Sequence, residues 1–459
     1  GAERAARAPA ALCALALALA AACAAGPEPS RPRGPSPEEQ DVQRRQEQVT
    51  AVGAAFPLLW EPEVLAELRA IGEEIARAVG ASEQDFRYYV IDKPVLNAFT
   101  SPAGDIFFFT GQLAATRTRS ELAGVFAHEI AHVQAGHYER LSRRVSLGTV
   151  PALAAIILSG GNPAVLYGTI ALLESYQLAF SREMESEADR LSLVYLRQTS
   201  FDPRGLIGAL RLIERGERLA PAAAPEGLRS HPLTASRINA LQSGLGMPPG
   251  EEYRPAPDPA WDRVRAILVA GDDPAAALRE FGARARTGGA DDYDLLGVVH
   301  ARRGDPAAAA EQFRLAVAQA PGVARYALDL AAALWTLGDG AGARAQIERA
   351  QGLPGGMAAA LGHHLLGEIS RAGGAPAEAI GHYRRATELA PQLPEAHYQL
   401  ALGLSAAGAL GEADYHFGRA AELRGDYLGA LASYRRARKL LGKDPLWEVR
   451  LDAALRHLQ

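Results

Sequence analysis

From Trp261 onward the chain repeats a ladder of small and apolar residues, and no other feature restricts its fold so tightly. Trp261, Val264, Leu268, Ala277 and Phe281 align with Tyr293, Leu296, Gly297, Ala309, Phe313, Ala316 and Pro321. The ladder returns at Leu330, Leu334, Ala343, Ile347 and Ala350, then at Leu366, Gly367, Ala379, Tyr383, Ala386 and Pro391, then at Leu400, Leu404, Ala413, Phe417 and Ala420. The turn glycines Gly271, Gly304, Gly338, Gly374 and Gly408 are spaced by 33, 34, 36 and 34 residues. A unit of that length holds a pair of short helices that cannot bury its apolar face alone, so the units must stack on one another. Gly425, Ala430, Tyr434 and Ala437 repeat the second half of the unit 17 residues after Gly408. Five units and one further helix are expected, with the last full unit sharing its second helix with a terminal pair.

The period, the small residues at the helix crossings and the aromatic behind them resemble the tetratricopeptide repeat. That likeness implies a concave surface that binds proteins and carries no chemistry of its own. At 459 residues the chain exceeds what one core serves, so at least one other domain precedes the array. Lys+Arg number 48 against Asp+Glu 53, a net charge of -5, which excludes the basic field that recruits nucleic acid. Hydrophobic residues make up 48%, much of it alanine, and the chain reads as mainly α.

Arg4 and Arg7 precede an apolar run from Pro9 to Ala25 that is short for a membrane span and ends in small residues. Residues 1–22 read as a secretory signal peptide, which points to the periplasm. The two cysteines, Cys13 and Cys23, both lie here, so no disulfide framework exists. Cleavage before Cys23 would leave a lipid-modified cysteine anchored to the outer membrane, and simple cleavage would leave a soluble protein; the residues leave both open. The Pro-rich stretch 23–40 reads as a tether.

A first domain is expected over residues 41–247, a Pro-rich linker over 248–258 and the repeat domain over 259–459. Val42 to Val79 carries helical apolar spacing interrupted near "AAFPLLWEP". "FRYYVID", "PVLNAFT" and "GDIFFFTG" are aromatic and β-branched and predict three short strands, a small sheet in a mainly α protein. "TRSE", Thr118 to Glu121, fits a capping box opening a helix that runs to about Ser142. Two apolar stretches between Val150 and Leu173 read as a buried helical hairpin or as a lid or membrane-facing flap.

That helix carries "HEIAH". At 3.6 residues per turn His128 and His132 project from one face, at the separation two imidazoles need to bind one Zn²⁺. Glu129 points aside, where it can take a proton from a water on the metal. A site of this kind wants a third protein ligand, and "SREMESEADRLS" supplies Glu185 and Asp189 four apart on a second helix. One carboxylate can bind the metal while the other fixes a histidine's tautomer.

H-E-x-x-H, then S-R-x-x-E-x-x-A-D, then "SHPLTASRI" resemble the gluzincin metalloproteases that include the heat-shock membrane protease HtpX and the CaaX prenyl endopeptidases, over about residues 45–245. The resemblance implies a zincin-type domain binding one Zn²⁺ through His128, His132 and Glu185, with Asp189 behind a ligand and Glu129 as general base. It implies His231 as a self-inhibiting switch at the water position, Arg237 as the group steadying the substrate oxyanion, and a lid at 150–173. An unfolded or misassembled polypeptide would bind extended along an exposed edge at Asp105, Ile106, Phe107, Phe108 and Phe109. The expected function is a periplasmic zinc endopeptidase that degrades stalled outer-membrane proteins, its repeats docking the client or the β-barrel assembly machinery. A chaperone or scaffold with a mostly plugged zinc site is the alternative. Membrane contact would come through lipidated Cys23 or the 150–173 segment.

Overall fold

The computed structural model describes residues 36–81, 86–101, 104–144, 180–219, 235–248, 251–351 and 356–458. The leader, Cys23, the 150–173 stretch and His231 lie outside the described residues.

Helix α1 (Pro37–Ala55) begins inside the stretch read as a tether. Ser36 and Glu39 close a capping box around it, and Pro37 stands in the first turn, where no N–H partner is needed. Helix α2 (Pro62–Ala78) buries Val64, Leu65, Leu68, Ile71 and Ile75 along one face. The three expected strands form, as β1 (Arg87–Ile91), β2 (Ala98–Thr100) and β3 (Asp105–Phe109), in the order β1-β3-β2. β3 runs parallel to β1 and antiparallel to β2, and all five of its residues are buried.

This order corrects one expectation. Asp105 to Phe109 form the central strand, hydrogen-bonded on both sides, and offer no edge to a substrate. The unbroken apolar run after Asp105 is the mark of a strand covered on both faces, and Phe107 stacks on both Tyr89 and Phe99 with ring centroids 4.9 Å apart. Among the described residues, β2 pairs with a strand on one side only.

Helix α3 (Thr110–Ala115) leads to α4 (Arg119–Gln134), which carries the histidine motif. Thr118 caps α4 by accepting the Glu121 N–H at 3.2 Å. The Glu121 carboxylate accepts instead from the Arg117 N–H at 2.6 Å, so the cap is one-sided. The helix does not continue to Ser142. Gly136 adopts φ 63°, a left-handed turn that stops α4, and α5 (His137–Arg144) starts afresh. Helices α6 (Arg182–Leu196), α7 (Gly205–Leu219) and α8 (Ala235–Gly244) complete the site-bearing part. A Cβ on Gly124 would lie 2.5 Å from the Leu206 backbone, so α4 and α7 touch at backbone distance only because that position is glycine.

The array follows as paired helices: α9 (Pro259–Asp272) with α10 (Pro274–Ala285), α11 (Ala290–Arg302) with α12 (Pro306–Gln319), α13 (Ala324–Thr336) with α14 (Gly340–Ala350). Then come α15 (Gly356–Ala372) with α16 (Pro376–Leu389) and α17 (Pro394–Ala406) with α18 (Leu410–Leu423). Helix α19 (Tyr427–Leu441) packs on α18 as a further partner, and α20 (Pro445–Leu458) packs on α19. Gly304, Gly338, Gly374 and Gly408 turn the chain at φ 74°, 85°, 74° and 83°. Gly271 differs, because α9 runs on through Asp272 and Asp273 at once caps α10.

Both ends of the array rest on the sheet-bearing part. At the start, the fully buried Trp261 donates its indole N–H to the Thr116 carbonyl at 2.9 Å. At the far end, the Tyr427 N–H bonds the Gln46 side chain at 2.7 Å, and Tyr427 and Tyr89 join through their hydroxyls. Arg45 and Arg87 take the last carbonyls of α20, Leu458 and His457, at 2.6 and 2.8 Å, where the helix dipole is negative.

Between these ends the buried Arg263 pairs with Glu63, Asp294 and Asp329 at 2.7, 2.9 and 2.9 Å, and Arg325 also reaches Glu63 at 2.7 Å. Burial works to raise the Glu63 carboxyl, but the two guanidinium groups outweigh it and bring its pKa from 4.5 down to about 2. A depressed folded-state pKa contributes stability above the unfolded value that is lost as pH falls towards the folded one. Glu63→Gln should therefore be less stable than wild type near neutral pH, and the gap in urea midpoint should close between about pH 4.5 and about pH 2.

Candidate metal centre

The centre lies where α4 packs on α6. His128 and His132 stand one turn apart on α4, with their Nε2 atoms 3.1 Å from each other. Ser181 caps α6 by accepting the Met184 N–H, which sets the first turn so that Glu185 faces the histidines. Glu185 Oε2 lies 3.4 Å from His128 Nε2, and Glu185 Oε1 lies 3.5 Å from His132 Nε2. One donor atom from each of the three residues falls within 4.8 Å of the others, and all three side chains are buried.

Two imidazole nitrogens and a carboxylate are the donor set of a catalytic zinc site with three protein ligands. Burial supports the same reading, because a carboxylate removed from water beside two histidines gains most when a cation stands between them. The residues present fit a bound Zn²⁺.

Asp189, one turn beyond Glu185, lies 3.1 Å from His128 Nδ1, the nitrogen that faces away from the other ligands. It can hold the proton of that nitrogen and leave Nε2 as the donor. Burial works to raise the Asp189 carboxyl, and the hydrogen bonds from Arg237 and His128 outweigh it, so its pKa lies below the ordinary value.

Arg237, on α8, is placed differently from the oxyanion role implied by the resemblance. Its Nε and NH2 bond the two Asp189 oxygens at 2.7 and 2.8 Å, and its NH1 lies 2.7 Å from Glu185 Oε2. The guanidinium spans both carboxylates, a planar fork on two anions, and is itself buried. In this state it holds the acidic side of the site together.

Glu129 follows His128 on α4, about 100° further round the helix. Its Oε2 accepts a hydrogen bond from Thr100 Oγ1 at 2.8 Å, so the end of β2 fixes the carboxylate. The Thr100 carbonyl in turn accepts from the Tyr138 hydroxyl on α5. Thr100, Tyr138 and His137 were not read from sequence as site residues. A threonine ending a strand is an ordinary β-former, and nothing in "NAFT" marks its hydroxyl for a carboxylate 29 residues on.

Replacing Arg237 by Met would leave two buried carboxylates without their counter-charge. Urea denaturation of the metal-free protein should show a loss of about 3–5 kcal/mol, against under about 0.5 kcal/mol for Arg385→Met on the exposed face of α16.

Residues 62–244 match the model of peptidase family M48. The β-barrel assembly-enhancing protease of Yersinia pestis is 26% identical over 243 residues, 51% of this chain and 50% of that protein. Its counterpart from Escherichia coli strain K12 is 28% identical over 207 residues, 43% of this chain and 42% of that protein. The mitochondrial metalloendopeptidase OMA1 of Schizosaccharomyces pombe is 34% identical over 184 residues, 38% of this chain and 50% of that protein. The chain spans about half the length of the curated relatives it matches. Residues 62–244 of this chain are thus similar to peptidase family M48, and their helices bring together two histidines and a glutamate that could hold a metal ion.

Proposed function

We propose that the chain is a zinc-dependent endopeptidase of the periplasm that cleaves misfolded or stalled outer-membrane proteins. The observation that carries the reading is the convergence of His128, His132 and Glu185, with Glu129 on the same helix. His128, His132 and Glu185 would hold one Zn²⁺, which when bound supplies Lewis acidity to a carbonyl and brings the pKa of water down to about 7. The rest of the chemistry belongs to the chain. The Glu129 carboxylate, oriented by the Thr100 hydroxyl, takes a proton from the attacking water and passes it to the leaving amine. Asp189 and Arg237 keep the ligands in register while the substrate changes shape.

The reading places the substrate as an added strand along the outer edge of β2, whose last residue contacts the base. Main-chain pairing gives affinity with little sequence preference, which suits a protease for unfolded chains. The Tyr138 hydroxyl already occupies the Thr100 carbonyl on that edge, so an incoming strand exchanges with it. The relatives' name, β-barrel assembly-enhancing protease, joins proteolysis to barrel assembly, and the array is the surface that would dock client or assembly machinery. No described helix is long and apolar enough to cross a membrane. A lipid on Cys23, a lid over 150–173 and the His231 switch belong to the same reading and rest on sequence.

One observation favours the scaffold alternative: His128, Glu129, His132 and Glu185 are 6%, 3%, 0% and 0% exposed, so the site is shielded in this state. A scaffold has no use for a general base, and Glu129 therefore separates the two. Glu129→Gln should bind zinc as wild type does and cut an unfolded β-barrel substrate about 10²–10⁴-fold more slowly. A variant that cuts at the wild-type rate would remove Glu129 from the reaction, and a wild type that binds but never cuts would favour the scaffold.

A further inference from the structure

His132 has a second nitrogen, and what it meets was not anticipated. His132 Nδ1 lies 3.0 Å from Nδ1 of His137, the first residue of α5. His137 Nε2 lies 3.4 Å from Glu187 Oε2, and Arg140 NH2 bonds the same oxygen at 2.8 Å. His137 is fully buried, and Phe180 packs against both rings with centroids 4.2 Å from His132 and 5.9 Å from His137.

We propose that His137, backed by Glu187, is a positioning residue for the metal ligand His132: it accepts the Nδ1 proton and so leaves Nε2 as the donor atom. The proposal rests on the metal-site reading above. An imidazole that gives its Nε2 lone pair to a cation carries its proton on Nδ1, and that proton needs an acceptor. His137 can accept at Nδ1 only when its own proton sits on Nε2, and the Glu187 carboxylate stands there to receive it. The three residues thus form one chain of donors with a single direction, from His132 Nδ1–H to His137, and from His137 Nε2–H to Glu187. The other tautomer of His132 would put a proton on the nitrogen that faces His128 and Glu185.

The backbone is shaped for this contact. On a continuous helix His137 would project about 140° away from His132, since five residues advance the helix by one full turn and about 140° more. The left-handed Gly136, at φ 63°, ends α4 and turns His137 back onto the helix that carries the ligand. The two ligand histidines are therefore held by different partners, His128 by a carboxylate in the buried Asp189–Arg237 pair and His132 by an imidazole that leads to a half-exposed carboxylate. Glu187, which as part of "ESEAD" competes with Glu185 for the role of ligand, has this separate task.

The test is zinc affinity of the full chain by competition with a chelator, beside thermal melting of the metal-free protein. His137→Phe keeps the ring and its packing but removes the acceptor, and should weaken zinc binding about 10–100-fold with the metal-free melting temperature unchanged. His137→Gln restores an acceptor oxygen and should recover affinity to within about threefold of wild type. Zinc binding to His137→Phe at wild-type strength, or equal weakening of the Phe and Gln variants, would overturn the proposal. Should the Phe variant not fold, Glu187→Ala on the half-exposed side of α6 decides: severalfold weaker zinc binding supports the chain of donors, and unchanged binding overturns it. A wild type that binds no zinc would overturn the metal-site reading itself, which is a different result from intact wild-type binding with indifferent variants.

Discussion

The contact of α4 with α6 is the constraint on which the site depends. Neither helix carries a metal site alone. α4 supplies two nitrogens with no anion between them, and α6 supplies two buried carboxylates that would repel one another without a counter-charge. Packing the two together puts Glu185 between His128 and His132 and puts Asp189 behind His128. Arg237 then spans the two acids, so the buried charges are held in pairs before any metal arrives. The glycine contact between α4 and α7, the cap at Ser181 and the turn at Gly136 all serve to hold α4 and its neighbours at this distance.

The array is more than an appendage to this core. Its first helix seats Trp261 on α3, its last helices close on α1 and β1, and Arg263 ties α9, α11 and α13 to Glu63 on α2. The α2 helix in turn packs against α4. An array held at both ends, and between them through Arg263, shares its stability with the site-bearing part.

What the sequence made legible was local. The aromatic and β-branched runs became strands at the places expected, and the H-E-x-x-H spacing set two imidazoles one turn apart because helix geometry requires it. Glu185 and Asp189 needed only their four-residue separation and the family pattern. What stayed hidden depended on tertiary placement. The run Asp105 to Phe109 shows that a strand is buried but not which neighbours cover it, so its central position could not be seen. Arg237 looks like any helical arginine until α8 is packed against α6. His137 lies five residues after His132, a spacing that points away on an unbroken helix, and only the left-handed Gly136 brings it back. Gly271 shows the reverse case, a glycine with the right period whose turn is made by a capping aspartate instead.

The central claim is that one cation sits among side chains from α4 and α6. Crystals of the full chain loaded with zinc, measured on both sides of the zinc absorption edge, test it most directly. The account predicts one strong anomalous peak per chain, bounded by His128 Nε2, His132 Nε2 and a Glu185 oxygen. A peak at another cluster of residues, or zinc scattered over the surface with none between these helices, would contradict it.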